Sequence, residues 1–321
     1  MVAQKMLEKS YILGKAFFLV LVLGLPGFLI FNFFFAKRPE VEFNSPVSSF
    51  SADRPTDPEA ISPPVLSSGL ALAVAQALTG THGQYGIVIK NLKTGEGFEL
   101  NSHQVFPSAS LYKVWVMVIV FEKIADGSLS MDTEISGNVV DLNKKFDIDE
   151  ESAELTEGGF TFTVEQAMEK MITVSHNYAA LMLTEKIGLT SVNKFLRENG
   201  FFESKVGTGG SLPTTTPADM ALFFEKLYGG KLAGPEETKL MMEVLKRQQM
   251  NYALPKYLPE GVMVAHKTGN IDEYTHDGGI VFAPSGDYVI VEMTKSDSRT
   301  GAEERMAQVS KAAWEWFAIG D

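Results

Sequence analysis

The stretch from Pro107 to Phe121, PSASLYKVWVMVIVF, holds one basic side chain, Lys113, inside an almost unbroken apolar run. Such a run must be buried, and a buried ammonium is costly unless its charge or proton has a partner. Pro107, Ser108 and Ser110 supply helix-start chemistry just before the run. The β-branched residues also suit a buried strand, and periodicity alone does not separate the two. The segment continues through Glu122 and Lys123 to Asp126-Gly127, which is long for a strand, so a helix over about 110–125 is expected. On a helix, Ser110 and Lys113 are three residues apart and share a face. The serine is then a candidate partner, and a lysine with a lowered pKa can activate a serine hydroxyl. The pair is weak evidence alone. Ser191-Val192-Asn193-Lys194 repeats it, in a place where Thr190 and Ser191 read as ordinary helix caps.

At 321 residues the chain can bury a sizeable core in one or two lobes. The net charge of −12 leaves no basic footprint for nucleic acid. The first 64 residues hold six Lys/Arg and six Asp/Glu, so the whole acidic excess belongs to 65–321. With no cysteine, disulfides, thiol nucleophiles, Cys-ligated zinc and a lipidated cysteine anchor are excluded. The histidines at 82, 103, 176, 266 and 276 lack metal-ligand spacing. Polar-surface or strand-end roles are expected for them, with no metal or other cofactor.

Residues 16–36 form a 21-residue apolar span broken only by Asn32 and a Gly24-Leu25-Pro26-Gly27 kink. That matches the ~20 residues of a membrane helix and exceeds a signal-peptide core of ~7–15. No small-x-small cleavage site follows, so residues 1–36 read as an uncleaved signal anchor, a cleaved signal being the alternative. Lys5, Lys9 and Lys15 on one side nearly balance Lys37, Arg38 and Arg54 on the other. The expectation is a single-pass cell-membrane protein with an extracytoplasmic domain. Residues 37–64 contain six prolines and five serines, an extended tether without a core.

From about Val65 the pattern becomes globular. A helix is expected over 66–78, strands over 85–89 and 98–100, and helices near 164–173, 178–187, 190–198, 217–228 and 235–249. Strand patterns return at 262–265, 279–282 and 288–293, and a last helix runs over about 302–317. The stretch 136–160 is polar and weakly periodic. The order implies an α/β (α+β) fold: a mainly antiparallel sheet lobe from about 65–106 and 255–321, with a helical lobe, about 107–254, inserted.

Two further elements follow Ser110 in order. Ser175-His176-Asn177 falls between two helices, and Lys267-Thr268-Gly269 ends a strand pattern. Each has copies elsewhere, such as Lys93-Thr94-Gly95, which reads as a hairpin turn. Only 110–113, 175–177 and 267–269 give helix start, inter-helix loop and strand in that order. Here the chain resembles the serine penicillin-recognising enzymes, most closely the class A β-lactamases, whose Ser-x-x-Lys, Ser-Asp-Asn and Lys-Thr-Gly set it matches. The likeness covers about residues 66–321 and includes 158–164, Thr214 to Ala218 and His276 to Val281.

The resemblance implies an acyl-enzyme on Ser110, with Lys113 accepting or relaying its proton and Ser175 passing a proton to the departing ring nitrogen. It implies that Asn177 binds the substrate's side-chain amide, and that Lys267, Thr268 and Gly269 line the carboxylate site. The backbone N–H groups of Ser110 and Asn270 would form the oxyanion hole. The implied substrate is a β-lactam or an acyl-D-Ala-like amide. A D-Ala-D-Ala peptidase and a penicillin-binding sensor without turnover are the alternatives. Two departures stand out. His176 replaces the usual Asp, and between Gly200 and Pro217 the one acid is Glu203, in surroundings unlike those of the family's deacylation glutamate. Glu203 therefore reads as solvated surface, and slow deacylation is expected.

Overall fold

The computed structural model describes residues 65–318. The 16–36 span and the 37–64 tether lie outside them, and among the described residues no helix is long and apolar enough to cross a membrane.

The sheet lobe opens with β1 (Val65–Leu66), α1 (Ser68–Ala77), β2 (Gln84–Asn91) and β3 (Glu96–Leu100), and closes with β8 (Val264–Ile271), β9 (Tyr274–Val281), β10 (Tyr288–Lys295) and α9 (Arg299–Ala318). The six strands run β1-β3-β2-β10-β9-β8, all antiparallel except the β1–β3 pair. β10 joins the two chain ends, Ile290 lying opposite both Ile89 and Gly279. Strand alternation divides the core. Val289, Val291 and Met293 enter one apolar cluster with the helical lobe, while Tyr288 and Ile290 enter a second with Leu70, Val74, Val309 and Ala313 of α1 and α9. β8 is left as a sheet edge turned toward the inserted lobe.

That lobe contains β4 (Phe106–Pro107), a 3-10 turn (Ala109–Tyr112), α2 (Lys113–Ala125), β5 (Glu134–Asn138), α3 (Val139–Lys145), β6 (Gly159–Thr163), α4 (Val164–Thr173), α5 (Asn177–Ile187), α6 (Leu189–Glu198), β7 (Thr214–Thr215), α7 (Pro217–Tyr228) and α8 (Pro235–Lys246). α2 is its axis. Every residue from Lys113 to Phe121 is buried, so the helix is apolar all round because it is surrounded. Each large side chain buried there contributes about 1.5–3 kcal/mol. Around it, Thr163 and Gln166 form a capping box on α4, and Thr216 caps α7 ahead of Pro217.

Two stretches of the inserted lobe fold otherwise than expected. Residues 110–112 form a 3-10 turn, with α2 starting at Lys113, and Ser108 makes no side-chain cap. The polar stretch 136–160 contains α3 and parts of β5 and β6, which pair with each other across it. α3 is seven residues long and depends on Asn138, whose Oδ1 accepts from the N–H groups of Val140 and Asp141.

Glu292 on β10 is fully buried, and neither of its carboxyl oxygens has a hydrogen-bond partner among the described residues. Asp277 lies opposite it on β9. Burial first, and then the charge of Asp277, raise its pKa well above 4.5. The folded chain therefore keeps a proton there that the unfolded chain releases above that pH. The associated stability is fully present below about pH 4.5 and is lost as pH rises toward the raised value. Glu292→Gln should melt with wild type near pH 4 and be more stable by about 1–3 kcal/mol at pH 8, a shift of several degrees. Identical midpoints at pH 8 in thermal scans would contradict this.

Candidate active site

Three segments meet at the β8 edge: the turn carrying Ser110, the loop between α4 and α5, and the middle of β8. The segment before the nucleophile is tied down from two sides. Phe106 and Pro107 pair with Thr215 and Thr214, and the Ser108 N–H donates to the Pro213 carbonyl at 2.8 Å. His276 Nε2 donates to the Pro107 carbonyl at 2.8 Å, while its Nδ1 accepts from the Thr294 N–H at 3.1 Å. Burial pushes the His276 pKa down to about 4, which keeps this tautomer neutral. Ala109 and Ser175 both adopt positive φ, +46° and +56°, without being glycine. Such positions cost on the order of 1–3 kcal/mol and persist only where the surroundings impose them.

Lys113 and Lys267 are both completely buried. Lys113 Nζ donates to the Ser175 carbonyl at 2.6 Å and to Asn177 Oδ1 at 2.7 Å, and lies 3.1 Å from Ser175 Oγ, whose hydroxyl can donate to the amine when it is neutral. Lys267 Nζ lies 3.0 Å from the same Ser175 Oγ and 2.7 Å from the Thr268 carbonyl. One hydroxyl thus sits between two amines. Burial lowers both lysines, Lys267 to about 7 despite the favourable charge of Asp277. Lys113 falls well below its ordinary value, first through burial and then through repulsion by Lys267. Lys113 is therefore the amine pushed furthest from its own charged form by burial and by its neighbour, and in its neutral form an amine can accept a proton. The expected Ser110–Lys113 hydrogen bond is not formed. Among the described residues the Lys113 amine spends its contacts on Ser175 and Asn177, so the motifs are linked through Ser175.

Gly269 lets the strand come close. A Cβ built there would lie 3.1 Å from the Ser110 nitrogen and 3.2 Å from both Ala109 Cβ and the Ser108 carbonyl oxygen. Lys267-Thr268-Gly269 falls inside β8, which continues to Ile271, and not at a strand end. The Asn270 side chain donates to the Tyr252 hydroxyl at 2.9 Å, and Arg299 Nη2 approaches that hydroxyl at 3.4 Å. No motif pointed to Tyr252 or Arg299.

His176 takes over as the N-cap of α5: its Nδ1 accepts from the Ala179 N–H at 3.2 Å. His266 and His276 are buried within β8 and β9, against the polar-surface or strand-end roles expected for them. His266, the residue before Lys267 on β8, bridges Asp277 Oδ1 at 2.8 Å and Asn251 Oδ1 at 3.1 Å. Glu203 Oε2 is 2.9 Å from His103 Nδ1 and accepts from Thr216 Oγ1 at 3.0 Å. The second Ser-x-x-Lys copy is structural. Ser191 donates to the Ile187 carbonyl, Lys194 pairs with Glu198 on the surface, and the N-cap is Gly188, not Thr190 or Ser191. Lys93-Thr94-Gly95 closes the β2–β3 hairpin, with Asn91 Oδ1 accepting from Lys93 and Thr94.

A serine three residues before a buried amine that is pushed toward its neutral form, with a second hydroxyl shared between that amine and another lysine, is equipped for nucleophilic acyl transfer. The family model described as "Beta-lactamase enzyme family" matches residues 69–317, and the chain belongs to that family. It is 28% identical to β-lactamase CARB-4 of Pseudomonas aeruginosa over 57% of this chain and 66% of that enzyme, just under two thirds of its length. A β-lactamase of Bacteroides uniformis is 24% identical over 77% of this chain and 91% of its own. Among solved structures, PBP-A superposes with a TM-score of 0.70 at 24% identity, covering 81% of this chain and all of that one. A variant of PBP-A is known as an acyl-enzyme complex with penicillin G. A β-lactamase from Sphaerobacter thermophilus gives a TM-score of 0.68 at 26% identity, over 79% of this chain and 97% of its own.

Gly269→Ala should push β8 away from the Ser110 amide. We expect a loss of about 1–3 kcal/mol in urea unfolding and labelling of Ser110 by a penicillin slowed at least about tenfold. Unchanged labelling would mean that the close approach has no role.

Proposed function

We propose that this chain is a serine hydrolase that opens β-lactam rings through an acyl-enzyme on Ser110 and releases the product slowly. The observation that carries the reading is the Ser175 hydroxyl held 3.1 Å and 3.0 Å from the Lys113 and Lys267 amines, which joins three separate motifs at one point. Ser110 Oγ attacks the amide carbonyl while its proton passes to neutral Lys113. The oxyanion is met by the backbone N–H groups of Ser110 and Asn270. As the C–N bond breaks, the ring nitrogen takes a proton through Ser175. Lys267 and Thr268 hold the substrate carboxylate, and Asn177 meets the acyl-side amide.

Deacylation needs an acceptor for the proton of the attacking water. Glu203 has its carboxylate engaged by His103 and Thr216, which supports slow release. Each ~1.4 kcal/mol of missing transition-state stabilisation slows a step tenfold. Full-length protein in detergent should therefore give a burst of one product per enzyme from a chromogenic cephalosporin, with an adduct on Ser110 by intact mass. Ser110→Ala should abolish labelling by a fluorescent penicillin, Ser191→Ala should leave it intact, and Glu203→Gln should change the slow phase little. Fast steady turnover that Glu203→Gln eliminates would overturn the slow-release reading. Cleavage of a D-Ala-D-Ala peptide in place of the cephalosporin would assign a peptidase instead.

The apolar span 16–36 supports an anchored protein with its catalytic domain outside the cytoplasm. The protein should sediment with membranes and resist alkaline carbonate, and protease added to intact cells should release a fragment starting within 37–64. A soluble form with its N-terminus near residue 37 would indicate a cleaved signal.

A further inference from the structure

A carboxylate that no motif announces borders the acyl side of the site. Asn177 Oδ1 accepts from Lys113 Nζ at 2.7 Å, and Asn177 Nδ2 donates to Glu154 Oε2 at 3.0 Å. One amide thus links a buried amine to an exposed carboxylate. The position of Glu154 is built into the fold. The Leu155 N–H donates to the Tyr178 hydroxyl oxygen at 3.1 Å. The Leu155 carbonyl accepts from Asn143 Nδ2 and from the Tyr178 hydroxyl, each at 2.8 Å. Tyr178 follows Asn177 in the first turn of α5, so the amide and the carboxylate are fixed to the same helix start. Residues 146–158 contain six acids and no lysine or arginine. Glu154 is the one of these acids whose charge acts on both Lys113 and His176.

An amide nitrogen carries two hydrogens. At Asn177 one goes to Glu154, which leaves the other for the carbonyl of the substrate's acyl-side amide. Glu154 then lies beside the carbon that carries the acyl substituent. We propose that Glu154 selects substrates whose acyl side chain bears a protonated amine next to this amide, and disfavours those with an anionic group there. The inference rests on the β-lactam reading above and names the substrate class of that same site: aminoacyl amides with a free ammonium. An ammonium re-pairs with the carboxylate, whereas an anion meets like charge in a partly screened setting.

Three penicillins with one nucleus test this: ampicillin with an α-ammonium, benzylpenicillin with a neutral side chain, and carbenicillin with an α-carboxylate. The readout is the second-order rate of Ser110 acylation by full-length protein, followed by intact mass. Wild type should rank ammonium over neutral over anionic, with roughly 3–30-fold between steps at low salt, shrinking as NaCl is added. Glu154→Gln should collapse the ranking while still forming the adduct, and Glu154→Asp should restore part of it. Equal rates in wild type, or a ranking that Glu154→Gln leaves unchanged, overturn the inference alone. Failure of all three to acylate Ser110 overturns the β-lactam reading and this inference with it.

Discussion

Two lysine amines buried around one serine hydroxyl are the constraint to which the rest of the structure answers. Removing an ammonium from water costs several kcal/mol, and removing two side by side costs more. The fold meets that cost by shifting both amines toward their neutral forms and by surrounding them with acceptors: the Ser175 carbonyl and hydroxyl, Asn177 Oδ1 and the Thr268 carbonyl. Carboxylates act from a distance, Asp277 on Lys267 and Glu154 on Lys113. None of them is hydrogen-bonded to either amine, so neither lysine is locked into a charged ion pair. The same burial that destabilises the charges supplies a proton acceptor at neutral pH.

The architecture follows from holding those groups together. α2 places Lys113 at its first turn and buries every residue from there to Phe121, which fixes the amine from below. β8 brings Lys267 from the sheet lobe, and the absence of a side chain at Gly269 lets that strand lie against the Ser110 amide. His276 and the β4–β7 pair anchor the segment that enters the turn. Positive φ at Ala109 and Ser175 is tolerated because both flanks are fixed. Contacts with the helical and the sheet lobe both converge on Ser175, so a shift between the lobes would be felt there first.

Much of this was legible in the sequence, for identifiable reasons. A lysine inside PSASLYKVWVMVIVF demanded buried partners, and apolar periodicity marked the helices at 164–173 and 217–228, which the structure shows as α4 and α7. What could not be read depends on distant chain segments. Ser175, 62 residues from Lys113, displaced Ser110 as the lysine's hydrogen-bond partner. His276 is buried in mid-strand, where a polar-surface or strand-end role is expected, because a single histidine in a strand carries no sign of which face is buried. α3 was missed because seven residues held by one asparagine cap show no periodicity. Tyr252, Arg299 and Glu154 lie in no motif, and only folding sets them beside Asn270 and Asn177.

The most direct measurement is the ionisation of the two lysines. Protein carrying 13C at the lysine ε-carbons can be titrated by NMR, with Lys113→Arg and Lys267→Arg assigning the shifted signals. Two resonances should separate from the surface lysines, Lys267 titrating at about 7 and Lys113 well below the ordinary lysine range. Titration of both near 10.5, with the bulk of the lysines, would show that the amines stay charged and that Lys113 is not the proton acceptor.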